Sequence, residues 1–324
     1  MISRKSARSI GTAALAATGA LAVGRMAARR AERAEAQWPP LGDFVEIEGR
    51  KVHYVQAGEG PHLVLIHGAS GNIRDWTFGF LDHLTHRYTV TVFDRPGLGY
   101  TDHHPELSGP FDTRAEGPED QAALLKRAAT ELGVRDEIVV GHSFGGSVAM
   151  GWALNHDPAA VVALAGATQP WPGGLGALYT VNGTALGGAA VAPLIAAFAS
   201  EPWVASKIER VFHPQPAPEG YADHIGVDLT LRTQSVRANA RQITNLRPHV
   251  VSMSRRYPSL TLPIELVHGT EDAIVPIHVH SEPLSEQVDS AHLTRLDGIG
   301  HMPHHVATEE VTAAIERAAR RAGI

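Results

Sequence analysis

The feature that most constrains this chain is a serine set between two glycines at a predicted change from strand to helix. Residues Gly141–Gly145, with the order Gly-His-Ser-Phe-Gly, follow the short apolar run Ile138–Val140 and precede a helix-forming segment. A G-x-S-x-G pattern in this context is typical of a nucleophile elbow, a sharp turn with the serine at its tip. A β-carbon at either glycine would collide with the neighbouring strand or helix. The pattern therefore predicts that the Ser143 hydroxyl stands free at the end of a strand.

Length, composition and charge bound the class of protein. The 324 residues, of which 44% are hydrophobic and 19% charged, suit a soluble globular protein with one large α/β domain or two ordinary ones. Residues 1 to 36 contain seven Lys or Arg and two Glu, a net charge of +5. Because the whole chain has a net charge of −6, the remaining residues carry −11. The acidic body argues against a nucleic-acid partner. Because there is no cysteine, disulfides, thiol nucleophiles and cysteine metal sites are excluded.

Residues 1–40 are expected to lie outside the fold as a hydrophobic, basic segment followed by a linker. Basic residues flank an uncharged stretch at residues 9–24. We expect this stretch to act as a membrane anchor or as an export signal, with a candidate cleavage site at Ala20–Ala22, and a cytoplasmic tail is not excluded. It is somewhat shorter than the ~17–25 residues that usually span a bilayer. Positive charge on both sides leaves its orientation undecided.

From Phe44 onward, predicted strands alternate with segments of helical period. Two alternating runs around Gly49 predict a β-hairpin, and six apolar runs follow it along the chain. The six runs are His62–Ile66, Thr89–Phe93, Ile138–Val140, Val161–Leu164, Ile264–Val267 and His292–Leu296. Continuous apolar runs suit parallel strands that are buried on both faces. The sequence therefore predicts an α/β fold with a doubly wound, mostly parallel eight-stranded sheet.

One stretch, at about residues 167–260, interrupts this alternation. It is dense in proline, glycine and alanine, and helical pieces such as Val191–Phe198 occur without intervening strands. We interpret it as a cap inserted into a domain of residues 41–324; the alternative is a loose helical extension without contact to the site. Basic residues at helical spacing in this stretch predict a solvated face, and they are Arg232, Arg237, Arg241 and Arg247.

Position along the chain selects a base and an acid for the serine. A serine hydroxyl needs a base to take its proton, and the base needs a carboxylate to hold its tautomer. His301 follows the glycine-containing loop Gly298–Gly300 after the last predicted strand, so it can rise over the strand end towards the elbow. The acid should leave the preceding strand in the same direction. Asp272 fits this position, and the neighbouring Glu271 is the alternative.

The chain resembles the α/β-hydrolase superfamily, in its cap-bearing serine hydrolase branch, from about Phe44 to the C-terminus. The resemblance rests on His67–Asn72, Asp94–Gly99, Gly141–Gly145, Gly269–Asp272 with Val275–Pro276, and Gly300–His301, in that order. It implies the family's chain order of nucleophile, acid and base. It also implies an oxyanion hole formed by the backbone N–H groups of Phe144 and Ala69, in the loop that begins with His67 and Gly68. Losing one such donor typically costs ~2.7–4 kcal/mol of transition-state stabilisation.

Other polar residues near these motifs are interpreted as structural. Asp94 fits a turn with close backbone packing better than a catalytic role. His67 is expected to support the oxyanion loop by hydrogen bonding, and His142 to shape the elbow or line the pocket. The remaining histidine groups lack metal-binding spacing, so neither a metal nor a cofactor is expected. These groups are His301, His304 and His305, and His278 with His280.

The sequence predicts a cofactor-independent serine hydrolase that cleaves an ester of a small or apolar acid or alcohol through an acyl-enzyme. An ester is favoured because an alkoxide leaves more easily than an amine. Serine at the elbow disfavours epoxide opening and halide displacement, for which related enzymes carry aspartate. The alternatives are a carbon–carbon bond hydrolase, an acyltransferase or perhydrolase, and a hydrolase-fold binding or accessory protein. Apolar cap residues favour an apolar substrate, and they include Leu175, Leu178, Leu194, Ile195, Phe198 and Trp203.

Overall fold

A computed structural model describes residues 4–324, with side chains from residue 17 onward, and shows one eight-stranded sheet in this part of the chain. The strands are β1 (Asp43–Ile47), β2 (Arg50–Ala57), β3 (His62–Ile66), β4 (Thr89–Phe93), β5 (Ile138–His142), β6 (Ala160–Leu164), β7 (Ile264–Gly269) and β8 (Ala291–Leu296). Their spatial order is β1-β2-β4-β3-β5-β6-β7-β8, and only the pairings of β2 are antiparallel. The predicted mostly parallel sheet is confirmed.

Helices cover both faces of this sheet. They are α1 (Arg4–Gln37), α2 (Arg74–Thr77), α3 (Pro118–Glu131), α4 (Phe144–Asn155), α5 (Ala177–Asn182), α6 (Ala185–Phe198), α7 (Glu201–Phe212), α8 (Tyr221–His224), α9 (Val227–Thr230), α10 (Thr233–Ser254), α11 (Ser281–Gln287), α12 (Pro303–Val306) and α13 (Thr308–Ala322). Successive strand residues point to opposite faces. Val64 and Val139 enter the apolar cluster with α3 and α4, whereas Leu65 and Val140 enter the one with α13.

The parallel arrangement gathers the carboxyl ends of the central strands at one edge of the sheet. Crevices at this edge are where open α/β sheets bind their ligands. The loops after β5, β7 and β8 carry Ser143, Asp272 and His301 respectively, so three distant parts of the chain meet at one place.

Six helices, α5 to α10, occupy residues 177–254 without a strand among them. The longest of them, α10, packs against α4 and touches loops at the carboxyl edge of the sheet. These helices lie within the stretch interpreted as a cap, and the division into domain and cap remains a prediction. The loose extension without contact to the site is not what the structure shows.

The N-terminal helix α1 is only partly outside the fold. Its second half packs against α6 and α9, and Ala27 and Ala34 are buried there. The expectation that residues 1–40 lie outside the fold is therefore wrong for this half, because small side chains let α1 approach the other helices closely. Among the described helices, none is by itself long and apolar enough to cross a bilayer; α6 and α7 reach that length only together, as a pair bent by 103°.

The expected solvated face of cap arginines is also wrong in part. Arg247 is exposed, but Arg232 and Arg241 are buried. Arg232 donates to the carbonyl of Gly99, and Arg241 donates to the carbonyl of Gly109 at 2.8 Å. These guanidinium groups donate hydrogen bonds to backbone carbonyls of distant loops. The helical spacing of the arginines in the sequence does not indicate these contacts.

Candidate active site

The turn at Ser143 has the strained geometry of a nucleophile elbow. Ser143 has φ 55° and ψ −115°, outside the regions that non-glycine residues usually occupy. A β-carbon at Gly141 would lie 2.1 Å from the carbonyl oxygen of Gly145, and one at Gly145 would lie 2.2 Å from that of Ile66. Glycine is therefore required on both sides of the serine, as predicted from the sequence.

Ser143, His301 and Asp272 form a continuous line of hydrogen bonds. His301 Nδ1 lies 2.6 Å from Asp272 Oδ2, and His301 Nε2 lies 2.9 Å from Ser143 Oγ. A carboxylate can only accept, so Nδ1 carries the proton and Nε2 is left to accept from the serine hydroxyl. All three side chains are buried, and Ser143 is 8% exposed. The structure thus brings together the three residues that the sequence singled out.

The acid in this line is Asp272, not its neighbour Glu271. Asp272 Oδ1 accepts from the backbone N–H groups of Ile274 and Val275 at 2.8 and 2.9 Å, whereas Glu271 is exposed. Burial alone would raise the pKa of Asp272, but the imidazole of His301 and hydrogen bonds from His268 and His301 lower it below its ordinary value. Asp272 is therefore held as a carboxylate.

His268, at the end of β7, supports Asp272 and was not singled out from the sequence. Its Nδ1 lies 2.7 Å from Ser281 Oγ, and its Nε2 lies 2.7 Å from the Val275 carbonyl and 3.2 Å from Asp272 Oδ2. The carbonyl requires a proton on Nε2, so Nδ1 accepts from the Ser281 hydroxyl. The only sequence signal was its position four residues before Asp272.

The loop after β3 lies directly against the nucleophile. A β-carbon on Gly68 would lie 3.1 Å from Ser143 Cβ, so this loop passes beside the serine at the residue before Ala69. His67 Nδ1 donates to the carbonyl of Gly68 at 2.9 Å, and its Nε2 accepts from the N–H of Arg95 at the same distance. Burial lowers the pKa of His67 to about 4, so the ring is neutral near pH 7. His67 supports the loop by hydrogen bonding, as predicted.

Arg95 is a buried cation beside this loop that sequence reasoning passed over as part of a turn. Its guanidinium lies 4.1 Å from the centre of the Phe144 ring and donates to the Gly68 carbonyl at 3.2 Å. Gln121 and Gln242 accept two further hydrogen bonds. Burial lowers the pKa of Arg95 to about 9. The group therefore remains charged at neutral pH, and it holds Phe144, one predicted oxyanion donor, and Gly68, the residue before the other.

Side chains of α9 and α10 bind the same loop from the other side. The Asn239 side chain accepts from the Ser70 N–H at 2.7 Å and donates to the Ser70 hydroxyl at 2.8 Å. Thr230 Oγ1 donates to the Ser70 carbonyl at 2.8 Å. Ser70 has φ 58°, in the left-handed region that a serine rarely adopts, so these contacts stabilise a strained residue next to Ala69.

His142, between Gly141 and Ser143, contacts His301 and holds its backbone. Its Nε2 donates to the backbone carbonyl of His301 at 2.8 Å, and its ring packs against those of His301 and His304 at 4.9 and 4.7 Å between centroids. Burial lowers the pKa of His142 well below its ordinary value, with the charges of His304 and His301 acting in the same direction. The ring is therefore neutral, as its interpretation as an elbow residue requires.

The side chains in the described part of the chain that could hold a metal are Asp75, His142 and His304, whose ligand atoms lie within 4.8 Å of one another. Asp75 already binds three donors. Its Oδ1 accepts from Tyr221 at 2.8 Å and from His305 at 2.9 Å, and its Oδ2 faces His304 Nε2 at 3.3 Å. The arrangement fits a hydrogen-bonded network better than a metal site. His304 and His305 are members of this network, a role that their spacing in the sequence did not indicate.

Asp94 ties its own loop to β2 and to the loop after β3. Its Oδ2 accepts from His53 Nδ1 at 2.6 Å and from the N–H of Tyr100 at 2.8 Å, and its Oδ1 accepts from the N–H of Ile73 at 2.8 Å. The structural interpretation of Asp94 agrees with these contacts.

The apolar cap residues divide into two groups. Leu175, with Trp171 and Tyr179, packs against the apolar cluster that contains Phe144 and Ala69. The exposed residues are Leu178, Leu194 and Phe198. Exposure of these three does not decide whether they contact an apolar substrate, so the apolar substrate remains a prediction.

Comparison with known proteins places the chain in a family. The sequence model of the Alpha/beta hydrolase family matches residues 63–314. An uncharacterized protein of Mycobacterium tuberculosis is 26% identical over 297 residues, which cover 86% of this chain and 81% of that protein. The pimeloyl-(acyl-carrier protein) methyl ester esterase of Aromatoleum aromaticum is 28% identical over 287 residues, covering 80% and 98%. The solved esterase of Exiguobacterium antarcticum has a TM-score of 0.67 at 16% identity, covering 86% and 99%. The chain belongs to the alpha/beta hydrolase family.

Proposed function

We propose that the protein is a serine hydrolase that cleaves a carboxylic ester through an acyl-enzyme intermediate. The observation that carries this proposal is the line of hydrogen bonds from Asp272 through His301 to Ser143, at 2.6 and 2.9 Å. Binding alone would need neither an activated serine nor a path for its proton. In this proposal the three residues form a catalytic triad of acid, base and nucleophile.

The first step forms the acyl-enzyme. Ser143 Oγ bonds to the ester carbonyl carbon while its proton passes to His301 Nε2, and the carbonyl π electrons move to the oxygen. The N–H groups of Phe144 and Ala69 stabilise the resulting oxyanion. The oxyanion then collapses, the bond to the alcohol oxygen breaks, and His301 gives its proton to the departing alkoxide. The alcohol leaves, and the acyl group remains on Ser143.

The second step reverses the roles with water as the nucleophile. His301 takes a proton from water, whose oxygen bonds to the acyl carbon, and the second oxyanion collapses to release the acid and restore the Ser143 hydroxyl. Asp272 holds the His301 tautomer and stabilises the imidazolium that forms in each step. Its lowered pKa keeps it ionised at the pH values at which a neutral imidazole can act.

An ester substrate is supported by leaving-group chemistry and by the relatives. An alkoxide needs less assistance to leave than an amine, and a relative similar over most of its length is named as a methyl ester esterase. Trp171, Leu175 and Tyr179 pack against the core cluster of which Phe144 is one member, and this supports an apolar substrate group.

A fluorophosphonate probe tests the mechanism directly. We expect the full-length protein to be labelled at Ser143, because the probe requires an activated serine. The Ser143→Ala variant should not be labelled, and its rate of ester turnover should fall at least ~10³-fold. Ser259→Ala, at an exposed position, serves as the matched control. Labelling that persists in Ser143→Ala would contradict the proposed nucleophile.

A panel of substrates then tests whether the preferred substrate is an ester. p-Nitrophenyl esters from acetate to dodecanoate should be hydrolysed, and the chain-length optimum reports the size of the acyl site. Faster turnover of a dienoic ring-cleavage product than of any ester would instead favour the carbon–carbon bond hydrolase. Faster acyl transfer to an added alcohol than to water would favour an acyltransferase.

A further inference from the structure

Residues 17–22 of α1 project from the body of the protein. Residues 17–22 are exposed on every side of the helix, and Leu21 is 64% exposed. The residues that pack against the rest of the protein begin around Val23, with Ala27 and Ala34 buried further along. The projecting part is uncharged and includes apolar side chains that no described element covers.

The second half of α1 is fastened to the helices of residues 177–254. Arg30 pairs with Asp228 at 2.7 Å and donates to the Ala199 carbonyl at the same distance. Glu35 pairs with Arg232 at 2.8 Å, and the Arg232 side chain is buried. These contacts hold α1 in a defined direction relative to α6, so the projecting part is a fixed extension of that surface.

Exposed apolar side chains continue from α1 onto its neighbours. Among residues 17–324, twelve large hydrophobic side chains are exposed, and seven of them lie on α1, α5 and α6. They are Leu21, Met26, Leu178, Val181, Leu186, Leu194 and Phe198. Helix α6 packs against both α1 and α5, so the three elements are contiguous. We name these seven residues the cap–anchor face. Clustered exposed apolar residues of this kind mark an interaction surface.

Charge on α1 distinguishes a lipid bilayer from other partners. Arg25, Arg29 and Arg33 are exposed on α1, and three further basic residues lie in the first eight positions, whereas the remainder of the chain is acidic. Apolar residues flanked by arginine and lysine are typical of helices that lie in the interface of a membrane with anionic lipid.

We propose that the cap–anchor face docks on an anionic lipid bilayer, with α1 lying in the interface. An in-plane helix agrees with the finding that no single described helix is long and apolar enough to cross. Docking in this orientation needs α6 as well as α1, because α6 carries Leu186, which is 77% exposed, and Phe198, which is 57% exposed. For the proposed ester hydrolase, it places α5 and α6 beside lipid, where apolar esters concentrate.

Co-sedimentation with vesicles tests the proposal. The full-length protein should bind phosphatidylcholine vesicles that contain phosphatidylglycerol, and should bind more weakly without phosphatidylglycerol or at high salt. Deletion of residues 1–22 keeps Arg30 and Glu35 in place and should weaken binding at least tenfold. The double variant Leu186→Asp with Phe198→Asp keeps α1 intact and should also weaken binding at least tenfold.

Control variants separate docking from folding and from catalysis. Phe111→Asp, at a position that is 62% exposed but outside the cap–anchor face, should bind vesicles as the unaltered protein does. The double variant should hydrolyse a short soluble ester at the unaltered rate, which shows that it folds. Ser143→Ala should bind vesicles fully, so docking is measured independently of the proposed hydrolysis.

Three results would overturn the proposal. Unchanged vesicle binding by the double variant would show that α6 does not contact lipid. Equal binding with and without phosphatidylglycerol would remove the role of the arginines. A dimer of the full-length protein that becomes a monomer in the double variant, without vesicle binding by either, would assign the face to a second copy of the chain.

Discussion

The two sides of the site are built by different means. On the sheet side, Ser143, Asp272 and His301 stand on short loops after parallel strands, and backbone geometry sets their positions. On the helical side, long polar side chains of α10 reach across to core loops: Asn239 to Ser70 and Gln242 to the Pro96 carbonyl. Each of these contacts joins residues more than 140 positions apart in the chain.

This difference separates chemistry from placement. In the proposed mechanism the sheet side holds the groups that move protons, and burial keeps the supporting imidazoles of His67 and His304 neutral. The helical side contributes amide and guanidinium groups that bind loop backbone and transfer no proton. We therefore expect substitutions on the sheet side to abolish turnover and substitutions on the helical side to reduce it.

The largest expected effect is that of Asp272→Asn. The backbone N–H groups of Ile274 and Val275 would hold the amide oxygen, so the amide NH2 would face His301 Nδ1 and donate to it. The ring then adopts the wrong tautomer, and kcat should fall about 10⁴-fold. Glu271→Gln, one residue away and exposed, is the matched control and should change kcat less than twofold. Steady-state hydrolysis of a p-nitrophenyl ester measures both. Equal losses in the two variants would reassign the acid.

The second largest expected effect is a loss of protein stability at acidic pH, caused by His67 on the sheet side. The pKa of His67 is lowered by burial to about 4 in the folded protein, below the ordinary value of 6.5. Between these values the unfolded chain binds more protons, so stability that is complete above pH 6.5 is lost as pH falls towards 4. His67 alone should contribute roughly 1.4 kcal/mol per pH unit in this window.

Urea unfolding at pH 7 and pH 5 measures that contribution. His67→Gln should lower the free energy of unfolding at pH 7 and flatten its decline towards pH 5, whereas the exposed His83→Gln should leave the decline unchanged. The guanidinium and amide contacts of the helical side do not titrate in this window. An unaltered pH dependence in His67→Gln would show that the buried ring is not the source.

The smallest expected effect is that of Asn239→Ala on the helical side. Ser70 loses two hydrogen bonds, and the neighbouring Ala69 amide loses its fixed direction towards the oxyanion, so kcat should fall about tenfold with little change in KM. Asn239→Asp keeps an acceptor for the Ser70 N–H and should retain more activity. Gln234→Ala, exposed on the same helix, is the control. A loss as large as that of Asp272→Asn would remove the distinction between the two sides.

The sheet side was predictable because its signals are local. Eight short runs of strand residues indicated the sheet, and glycines beside Ser143 and His301 indicated turns that a β-carbon would obstruct. The sequence favoured Asp272 but left Glu271 as an alternative, since adjacent residues in a loop differ only in the direction of their side chains. Burial and two backbone N–H groups separate them in the structure.

The helical side was not predictable because its contacts depend on how distant helices pack. Asn239 and Gln242 lie on an ordinary amphipathic helix, and nothing in their spacing indicates the loops that they bind. The spacing of Arg232 and Arg241 suggested a solvated face. In the structure both donate to backbone carbonyls, those of Gly99 and Gly109, in loops far earlier in the chain than α10. The second half of α1 was missed for the same reason, since small alanines give no signal of burial.

The position at which α1 meets the body has a consequence for processing of the chain. A protease that cut after Ala22 would remove only the projecting turns and would leave Ala27, Arg30, Ala34 and Glu35 in their contacts. The shortened product would keep its triad and its docked helices. In the proposed docking, such a product would lose Leu21 from the cap–anchor face and keep its other six residues.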